Sequence, residues 1–472
     1  MAYDFDVAVI GLGPAGMAVS IMASSMDLKV VAVEAHKIGG ECMNVGCIPS
    51  KAMLRAAAAR HTLVQLPQFG MEAQSLPPVR DLFPRIQTHL DYIGSQKTRS
   101  MFDKVELILN RGRAGFVDAH TLQAGERTYT AKRIFICAGT RPALPPIPGI
   151  EDIPVLTNEN IFALDAVPES LLVIGSGAIA CEMAQGFARL GSQVTMVMRG
   201  EGLLWREDPE GTALLSKAFE AEGIRILTRR QMEKVEKDGA QVVLRTREDG
   251  PLRAARLLAA TGRRTDFAAL QLERAGVAAN EKGIVVNRRL QTSRRHIYAC
   301  GDCNGHAQLS HAAMHQGMIA LINSMTPWPF TYDFRAFPVP WTIFTEPAFS
   351  QVGAREEELK KRGTRYEAIV VRYEDYGAAI AENLGPGFLK ALVSPLGRVY
   401  GMTIVGHVSG ELINEWTAII QNRIRLHRVL FQMHSFPTMG FLSKRVAETW
   451  MMRRMKSATL RRMAAAMYRL MP

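Results

Sequence analysis

An α/β fold of three domains is predicted by three observations. The chain has 472 residues, which at a typical domain size corresponds to about three domains. Two segments, near residues 5 and 171, each show a strand-like run, a glycine-rich turn, a helical stretch and a second strand-like run. The last third contains alternating runs, Phe388–Val393 and Val399–Val405, and a helical stretch over 410–421. This pattern indicates an antiparallel sheet with helices on one face.

Composition excludes several classes of protein. Hydrophobic residues make up 47% and charged residues 22%, so a disordered, collagen-like or coiled-coil chain is excluded. No apolar run is long enough to cross a bilayer, and the chain enters a strand-like run directly after Met-Ala-Tyr-Asp. We therefore expect a cytoplasmic protein without a signal peptide. Six cysteines in such a chain indicate a catalytic or metal-binding pair rather than a disulfide scaffold.

The first copy of the repeated unit has the pattern of a dinucleotide-binding βαβ motif. The run Phe5–Ile10 leads into a turn that carries Gly11, Gly13, Pro14, Ala15 and Gly16. The glycines permit a tight turn and let a pyrophosphate approach backbone N–H groups at a helix N-terminus. The second strand-like run, 29–33, ends at Glu34, where a carboxylate would hydrogen-bond ribose hydroxyls.

The second copy lies 164 residues later and differs at one informative position. Its strand-like run 171–174 leads into a turn that contains Gly175, Gly177, Ala178 and Ile179. Met198, 23 residues after Gly175, stands where Glu34 stands in the first copy, and Arg199 and later Arg206 follow it. Loss of a carboxylate and gain of guanidinium groups favour a 2′-phosphate. We interpret the first copy as an FAD site and the second as an NADPH site, with NADH as the alternative donor. Merely solvated arginines remain the alternative explanation.

Two cysteines lie just past the acid of the first copy. They are five residues apart, Cys42 and Cys47, in the stretch Gly39–Lys51, ahead of a helix that Pro49 can start. A helix N-terminus and Lys51 would both favour thiolate over thiol. Zinc would need further ligands at finger-like spacing, and the sequence has none there, so we predict no metal site.

This stretch closely resembles the redox-active disulfide segment of the pyridine nucleotide-disulfide oxidoreductases. That family includes dihydrolipoamide dehydrogenase, glutathione reductase and mercuric reductase. The resemblance covers residues 3 to about 450 and includes Ala138–Pro142, Ile297–Asp302, His311–Ala313, Phe344–Pro347 and, closest to mercuric reductases, Arg206–Pro209. It implies a homodimer with an FAD-binding part over 1–149, an NAD(P)-binding domain over 150–274, a return to the FAD domain over 275–336 and a dimerisation domain over 337–450. A basic tail over 451–472 follows beyond the resemblance.

The resemblance also implies the cofactor contacts and the course of the reaction. NADPH reduces the flavin, which passes two electrons to the Cys42–Cys47 disulfide; Cys47 is the flavin-proximal thiol and Cys42 the thiol that attacks substrate. Asp302 binds the ribityl chain, and Glu182 pairs with Lys51 near the flavin N5. The remaining cofactor-binding residues implied are Gly40, Ala138, Gly139, His311 and Gly262.

The sequence departs from the family at the acid–base histidine. Family disulfide reductases carry His-Pro-Thr and then a glutamate, whereas here Phe436 and Phe441 stand at those two positions. Phenylalanine transfers no proton, and loss of such a group typically costs about 10²–10⁴-fold in rate. His434 is the candidate substitute, and a partly buried interface histidine is the alternative.

The missing acid–base histidine determines which functional hypotheses we consider. Mercuric reductases also lack the histidine, but they carry a C-terminal pair of cysteines that this tail does not have. We therefore expect a FAD-dependent oxidoreductase that passes electrons to a metal ion, a quinone or an unusual disulfide. A dihydrolipoamide dehydrogenase or other small-disulfide reductase is the second hypothesis, and a flavin redox sensor without turnover is the third.

Other residues that resemble functional sites have simpler explanations. Cys300 and Cys303 form a C-x-x-C pattern, but it coincides with the FAD-binding turn. His306 and His315 are expected on a helix surface rather than around a metal ion. Cys137 and Cys181 lie in apolar segments and are expected to be buried as small hydrophobic residues.

The tail carries half of the net charge of +12. Residues 451–472 contain six basic side chains and no acid: Arg453, Arg454, Lys456, Arg461, Arg462 and Arg469. Placed on one helix, its methionines fall towards one side and most arginines towards the other, although Arg453 and Lys456 spoil the separation. Such a helix could rest on the inner face of the membrane, bind a partner or pack on its own dimer. No motif supports nucleic-acid binding.

Overall fold

The computed structural model describes residues 3–471 and has the mixed α/β architecture that the sequence predicts. The chain forms two compact units. The first comprises the chain up to Val64, then Gln74–Arg199 and Arg230–Phe337. The second comprises Gln65–Ala73, Gly200–Arg229 and the chain from Pro338 onward.

The main sheet of the first unit is built on parallel strands. Its order is Val105–Leu109, Val30–Glu34, Phe5–Ile10 and Arg127–Ile136, and Ile297–Ala299 pairs with the last of these. Val7, Ala8 and Val9 are almost fully buried, because a parallel sheet is covered on both faces. Gly11, Glu34, Cys137 and Cys300 therefore lie at or just past the carboxyl ends of neighbouring strands, at one edge of the sheet.

Helices cover this sheet and extend from it. The helices of this unit are Pro14–Ser25, Gly40–Asn44, Cys47–Gln65, Leu82–Tyr92, Ala178–Leu190 and Ser310–Met325. Pro14 occupies the first turn, where its missing N–H costs nothing. A Cβ at Gly317 would lie 2.4 Å from the Ala15 carbonyl oxygen, so glycine there allows Pro14–Ser25 and Ser310–Met325 to pack closely.

A second parallel sheet in the same unit repeats the first motif. Gln193–Val197, Ser170–Ile174, Arg256–Ala259 and Val155–Leu156 lie side by side in that order. Smaller antiparallel pieces complete the unit: Gly115–Phe116 with Thr121–Ala124, Met232–Asp238 with Gln241–Thr246 and Leu252–Ala254, Arg141–Pro142 with Arg263–Arg264, and Ala279–Asn280 with Gly283–Ile284.

The stretch from Ile284 to Asp302 is largely irregular. Only Gly283–Ile284 and Ile297–Ala299 are strands there. Between them, Asn287 Oδ1 accepts from the Arg289 N–H and Thr292 Oγ1 from the Arg294 N–H. Such local bonds from side chain to backbone favour turns over extended pairing.

The second unit contains the antiparallel sheet expected for the last third. Its order is Trp341–Ile343, Phe349–Gly353, Val399–Val405, Phe388–Val393 and Glu367–Arg372. Trp416 of the helix Ser409–Gln421 is fully buried in the core beneath it. The remaining elements are the strand Arg225–Leu227 and the helices Pro209–Ala221, Glu356–Lys361, Gly377–Ala381, Leu426–Phe431, Phe441–Met455 and Ala458–Leu470.

Candidate active site

The first glycine-rich turn has the shape of a dinucleotide cradle. Gly11 has φ +91°, and a Cβ there would lie 2.4 Å from the Cys137 carbonyl oxygen. A Cβ at Gly16 would lie 1.9 Å from the Gly11 carbonyl oxygen, so this glycine holds helix and turn together. Gly13 has no protein atom within 4 Å of such a Cβ. The turn is thus packed on the protein side and open in front of the helix N-terminus, which Pro14 and Ala15 begin, and this arrangement fits a pyrophosphate.

Glu34 stabilises this turn from the end of the second strand. Its Oε2 accepts from the Leu12 N–H at 2.7 Å and its Oε1 from the His36 N–H at 2.8 Å, and the side chain is buried. A carboxylate has about four acceptor sites, so ribose hydroxyls can still be bound. The ribose contact remains a prediction.

Asp302 lies on the same edge of the sheet, after Ile297–Ala299. Its Oδ2 accepts from the Thr140 hydroxyl at 3.3 Å. Burial raises its pKa, and the nearby Arg263 opposes that rise. Gly139, next to Ala138, has φ +66°, and a Cβ added there would have no protein atom within 4 Å. The open glycines, the helix N-terminus and the two carboxylates form a donor and acceptor set that fits FAD.

Cys42 and Cys47 lie on two consecutive helices. Cys42 belongs to Gly40–Asn44, and Cys47 is the first residue of Cys47–Gln65. The helix therefore begins two residues before Pro49, the start that the sequence suggested, because Pro49 is accommodated within the first turn. A Cβ at Gly40 would lie 2.8 Å from the Gly13 Cα, so the dithiol segment packs directly on the pyrophosphate turn.

The two sulfurs differ in their protonation. The pKa of Cys47 is lowered to about 6, mainly by a hydrogen bond from Cys42 and also by Ser310 and Lys51, against the opposing effects of burial and Glu182. The same hydrogen bond, together with burial, raises the pKa of Cys42. The Ser310 Oγ lies 3.2 Å from the Cys47 Sγ. Because Cys47 and Ser310 are each first in their helices, two helix N-termini also favour the thiolate. Cys47 is thus the thiolate and Cys42 the thiol.

Lys51 and Glu182 form the ion pair that the resemblance implies. The Lys51 Nζ lies 2.8 Å from the Glu182 Oε2. Glu182 comes from the buried face of Ala178–Leu190 and its side chain is 7% exposed. Lys51 is one helical turn after Cys47, which places its charge beside the thiolate. The catalytic roles of both residues remain predictions.

A second polar cluster beside the cysteines was not predicted. Glu41, which precedes Cys42, accepts hydrogen bonds from the Arg263 guanidinium, with Nη1 2.6 Å from Oε1, and from the Asn158 amide. Arg263 also donates from Nε to the Thr140 hydroxyl at 2.7 Å. The cluster ties the Cys42 helix to the Ala138–Pro142 motif. Glu41 and Arg263 are 222 residues apart, so spacing gave no signal.

The second glycine-rich turn repeats the geometry of the first. Gly175 has φ +138°, and a Cβ there would lie 2.3 Å from the Ala260 carbonyl oxygen. Gly177 and Gly262 have no protein atom within 4 Å of such a Cβ. Ala178 begins the helix, and Ile179 is 38% exposed in its first turn. This second cradle fits a nicotinamide dinucleotide.

At the end of the second strand of this motif, an apolar residue replaces the acid, and an arginine follows it. Met198 is buried at 2% exposure and carries no acceptor for a ribose. Arg199, the next residue, is exposed at the end of Gln193–Val197. Arg206 belongs to the second unit, where its guanidinium lies over the Trp205 ring at 4.7 Å.

His434 is held by acceptors of its own unit. Its Nε2 lies 2.9 Å from the Glu415 Oε1, its Nδ1 lies 3.3 Å from the Gln432 carbonyl oxygen, and its side chain is 8% exposed. Both ring nitrogens thus face acceptors, and neither is directed to solvent as an available base. Phe436 is 70% exposed and packs edge-on against Phe441 at 5.4 Å. His434 is thus a mostly buried, hydrogen-bonded histidine in this chain, and its catalytic role remains a prediction.

Four further cysteines and three histidines lie outside the Cys42–Cys47 segment, and the cofactor contact of His311 remains a prediction. Cys137, Cys181, Cys300 and Cys303 are buried, and burial raises the pKa of the last three. His306, His311 and His315 each have different surroundings. His311 is exposed at the start of Ser310–Met325, His315 packs against Phe337, and His306 packs against Phe334 from the preceding loop rather than from the expected helix surface. Within residues 3–471, no group of three or more potential ligands could hold a metal ion.

We predict that Ser310→Ala raises the pKa of Cys47 by about one unit, because a hydrogen bond to a charged acceptor contributes about 1.5–3 kcal/mol and a pKa unit about 1.4 kcal/mol. The measurement is the pH dependence of Cys47 alkylation in the reduced protein. Alkylation should rise through pH 6 in the wild type and one unit higher in the variant. Ser50→Ala is the matched control, since its hydroxyl donates to the Cys47 carbonyl at 3.2 Å. Equal shifts in both variants would contradict the assignment.

Comparison with known proteins agrees with this geometry. A curated mercuric reductase from Acidithiobacillus ferrooxidans is 35% identical over 458 residues, covering 95% of this chain and 83% of that protein. A dihydrolipoyl dehydrogenase from Thermus scotoductus is 34% identical, covering 92% and 95%. The structure of the HOCl-induced flavoprotein disulfide reductase RclA from Escherichia coli shares the fold, with a TM-score of 0.84 and 24% identity over 94% of this chain and 99% of that one.

Two family models match the chain in succession. The model described as pyridine nucleotide-disulphide oxidoreductase matches residues 5–317, and the model of the dimerisation domain of that family matches residues 339–444. The second match supports a homodimer. With a match over more than half of its length, the chain belongs to the pyridine nucleotide-disulphide oxidoreductases and is an FAD-dependent enzyme.

Proposed function

We propose that the enzyme takes electrons from NADPH and delivers them through the Cys42–Cys47 pair to an acceptor that needs no proton from an enzyme acid. Metal ions, quinones and unusual disulfides are such acceptors. FAD, when bound, supplies two-electron redox chemistry between the nicotinamide and the disulfide. The observation that carries the proposal is Phe436, a 70% exposed side chain that stands at the position of the family's acid–base histidine and transfers no proton.

Cys42 and Cys47 share a single proton, which the Cys42 thiol carries. Thiol–disulfide exchange requires a thiolate nucleophile, and the attacking residue by resemblance is Cys42, which here is the thiol. Cys47 accepts the Cys42 hydrogen bond and can therefore take its proton, at the cost of its own charge. No further proton is then held for a leaving thiolate. This supports acceptors that take protons from solvent or need none.

The chain's own residues prepare the sulfurs for this role. Lys51 lowers the pKa of Cys47 through its charge, and Ser310 lowers it through a hydrogen bond. Glu41, held by Arg263 and Asn158, fixes the helix that carries Cys42. The relatives named mercuric reductase support a metal ion as acceptor, and the dihydrolipoyl dehydrogenase supports the small-disulfide alternative.

Steady-state oxidation of NADPH by the FAD-loaded enzyme tests the choice of acceptor. We expect turnover with quinones, Hg²⁺ or Cu²⁺ to exceed turnover with lipoamide and glutathione disulfide by at least about tenfold, since acid–base assistance contributes about 10²–10⁴-fold. Cys42→Ser should lose most turnover, and a long-wavelength thiolate–flavin band should appear on reduction and be absent in Cys47→Ser. Faster turnover with the small disulfides would favour a disulfide reductase, and no turnover at all would favour a redox sensor.

The preference for NADPH rests on Arg199. We expect Arg199→Ala to raise the KM for NADPH at least about tenfold and to leave the KM for NADH nearly unchanged, because only NADPH offers a 2′-phosphate. Arg256→Ala is a matched control: this exposed arginine begins a strand of the same sheet, at the end opposite the glycine turn. An equal rise in the KM for NADPH and in the KM for NADH would contradict the proposed preference for NADPH.

We further propose that the tail rests on an anionic membrane surface. The structure corrects the single helix assumed from 451 onward: Phe441–Met455 ends, and a separate helix, Ala458–Leu470, follows Ser457. Arg453 and Lys456 therefore lie outside it. At about 100° per residue, one side carries Leu460, Met463, Met467 and Leu470, all at least 41% exposed, and the other side carries Arg461, Arg462 and Arg469. An apolar face opposite an arginine face fits anionic lipid.

Co-sedimentation with vesicles tests this surface contact. We expect binding to phosphatidylcholine vesicles that contain phosphatidylglycerol and none to phosphatidylcholine alone, because arginine needs the anionic headgroup. Met463→Gln/Met467→Gln should abolish binding, while Ala458→Gln/Ala465→Gln, on the arginine side of the helix, should not. Unchanged binding in the first variant, or a loss of dimer instead of lipid binding, would contradict the proposal. Among residues 3–471, no helix has the length and apolarity to cross a membrane.

A further inference from the structure

A cationic groove lies on the first unit, away from the cysteines and the glycine turns. Its volume is about 840 Å³. Its walls come from the start of the chain near Tyr3, from Lys132 and Arg133 of the strand Arg127–Ile136, from residues 287–298, and from the end of the helix Ser310–Met325. These segments converge although they are distant in sequence.

The groove is at the opposite edge of the main sheet from the cofactor cradle. Tyr3 and His296 precede the strands Phe5–Ile10 and Ile297–Ala299, whereas Gly11 and Cys300 follow the same strands. The six residues of Phe5–Ile10 span about 20 Å at the usual rise per residue. A ligand in the groove would therefore be separate from FAD and from the dithiol.

Positive charge in the groove has no counter-charge. Lys132, Arg133, Arg289 and Arg295 line it, and no aspartate or glutamate does. Among the described residues, none of these four cations forms an ion pair, whereas arginines elsewhere in the unit do, such as Arg113 with Asp266 at 2.6 Å. The carboxyl end of Ser310–Met325 contributes only about half a negative charge. The groove consequently favours an anion.

Flat rings form one wall of the groove. The Tyr3 ring stacks on His120 at 4.8 Å between centroids, and His120 stacks on His296 at 3.9 Å. The Trp328 side chain is 73% exposed at the rim. Burial lowers the pKa of His296, and His120 and Arg294 lower it further, so this ring tends to stay neutral. These stacked rings and an exposed indole are suited to contact a planar ligand.

We propose that this groove is a binding site for an organic polyphosphate, a ligand that carries a planar ring next to several phosphate groups. Guanidinium groups bind phosphate oxygens through paired hydrogen bonds, and the indole supplies a stacking surface for the ring. The volume lies within the range of small-molecule sites. The proposal does not depend on the identity of the electron acceptor.

Calorimetry on the FAD-loaded enzyme, with saturating NADP⁺ to occupy the nicotinamide site, tests the proposal. The probes are UTP and inorganic tripolyphosphate. We expect UTP to bind at least about tenfold more tightly than tripolyphosphate, and Trp328→Ala to remove that advantage. Arg289→Gln/Arg295→Gln should weaken UTP binding at least about tenfold. Arg127→Gln/Arg256→Gln is the matched control, since both arginines are exposed, lie outside the groove and pair with no carboxylate in the described part of the chain.

Retained FAD content and NADPH oxidation in both double variants would show that they are folded and that the active site is intact. Equal affinity for UTP and tripolyphosphate would overturn the proposal, because the groove would then be only a charged surface. Unchanged UTP binding in Arg289→Gln/Arg295→Gln would overturn it too. So would the absence of binding, as expected if a second copy of the chain covered the groove.

Discussion

The hydrogen bond between the Cys42 thiol and the Cys47 thiolate is the interaction on which the account depends. It exists because two helices begin in succession, with Cys42 in the first and Cys47 at the start of the second. Ser310 brings a second helix N-terminus and a hydroxyl to the same sulfur. The negative charge is thus stabilised by local backbone geometry and one nearby cation, Lys51, rather than by a histidine. An enzyme arranged in this way holds electrons readily but has little capacity to deliver a proton.

The strand–glycine turn–helix–strand motif occurs twice in the chain, and the two copies differ at the end of the second strand. In both glycine turns the first glycine adopts a positive φ against a neighbouring carbonyl, and the second faces open space. The turns differ at the end of the next strand. Glu34 is a buried carboxylate that accepts two backbone N–H groups, whereas Met198 is apolar and followed by the exposed Arg199. This difference at one position is the basis of the proposed preference for NADPH at the second turn.

Much of the fold could be predicted because its signals are local. The strands Phe5–Ile10, Phe388–Val393 and Val399–Val405 have the bounds that periodicity and flanking turns indicate. The contacts of Ser310 and of Arg263 could not be predicted in that way, since they join residues more than 200 positions apart. The tail was misjudged for a local reason: one helix ends at Met455 and another begins after Ser457, and helical periodicity alone does not detect such a break. The groove around Arg289 arises only where distant segments meet.

The most direct measurement is differential alkylation of the FAD-loaded enzyme, carried out anaerobically before and after one equivalent of NADPH and read by peptide mass spectrometry. The account predicts that Cys42 and Cys47 resist alkylation in the oxidised enzyme and that both become reactive on reduction. Cys137, Cys181, Cys300 and Cys303 should stay unlabelled in both states, because they are buried. Two permanently reactive thiols, or a change confined to the other four cysteines, would contradict the claim that this pair carries the electrons.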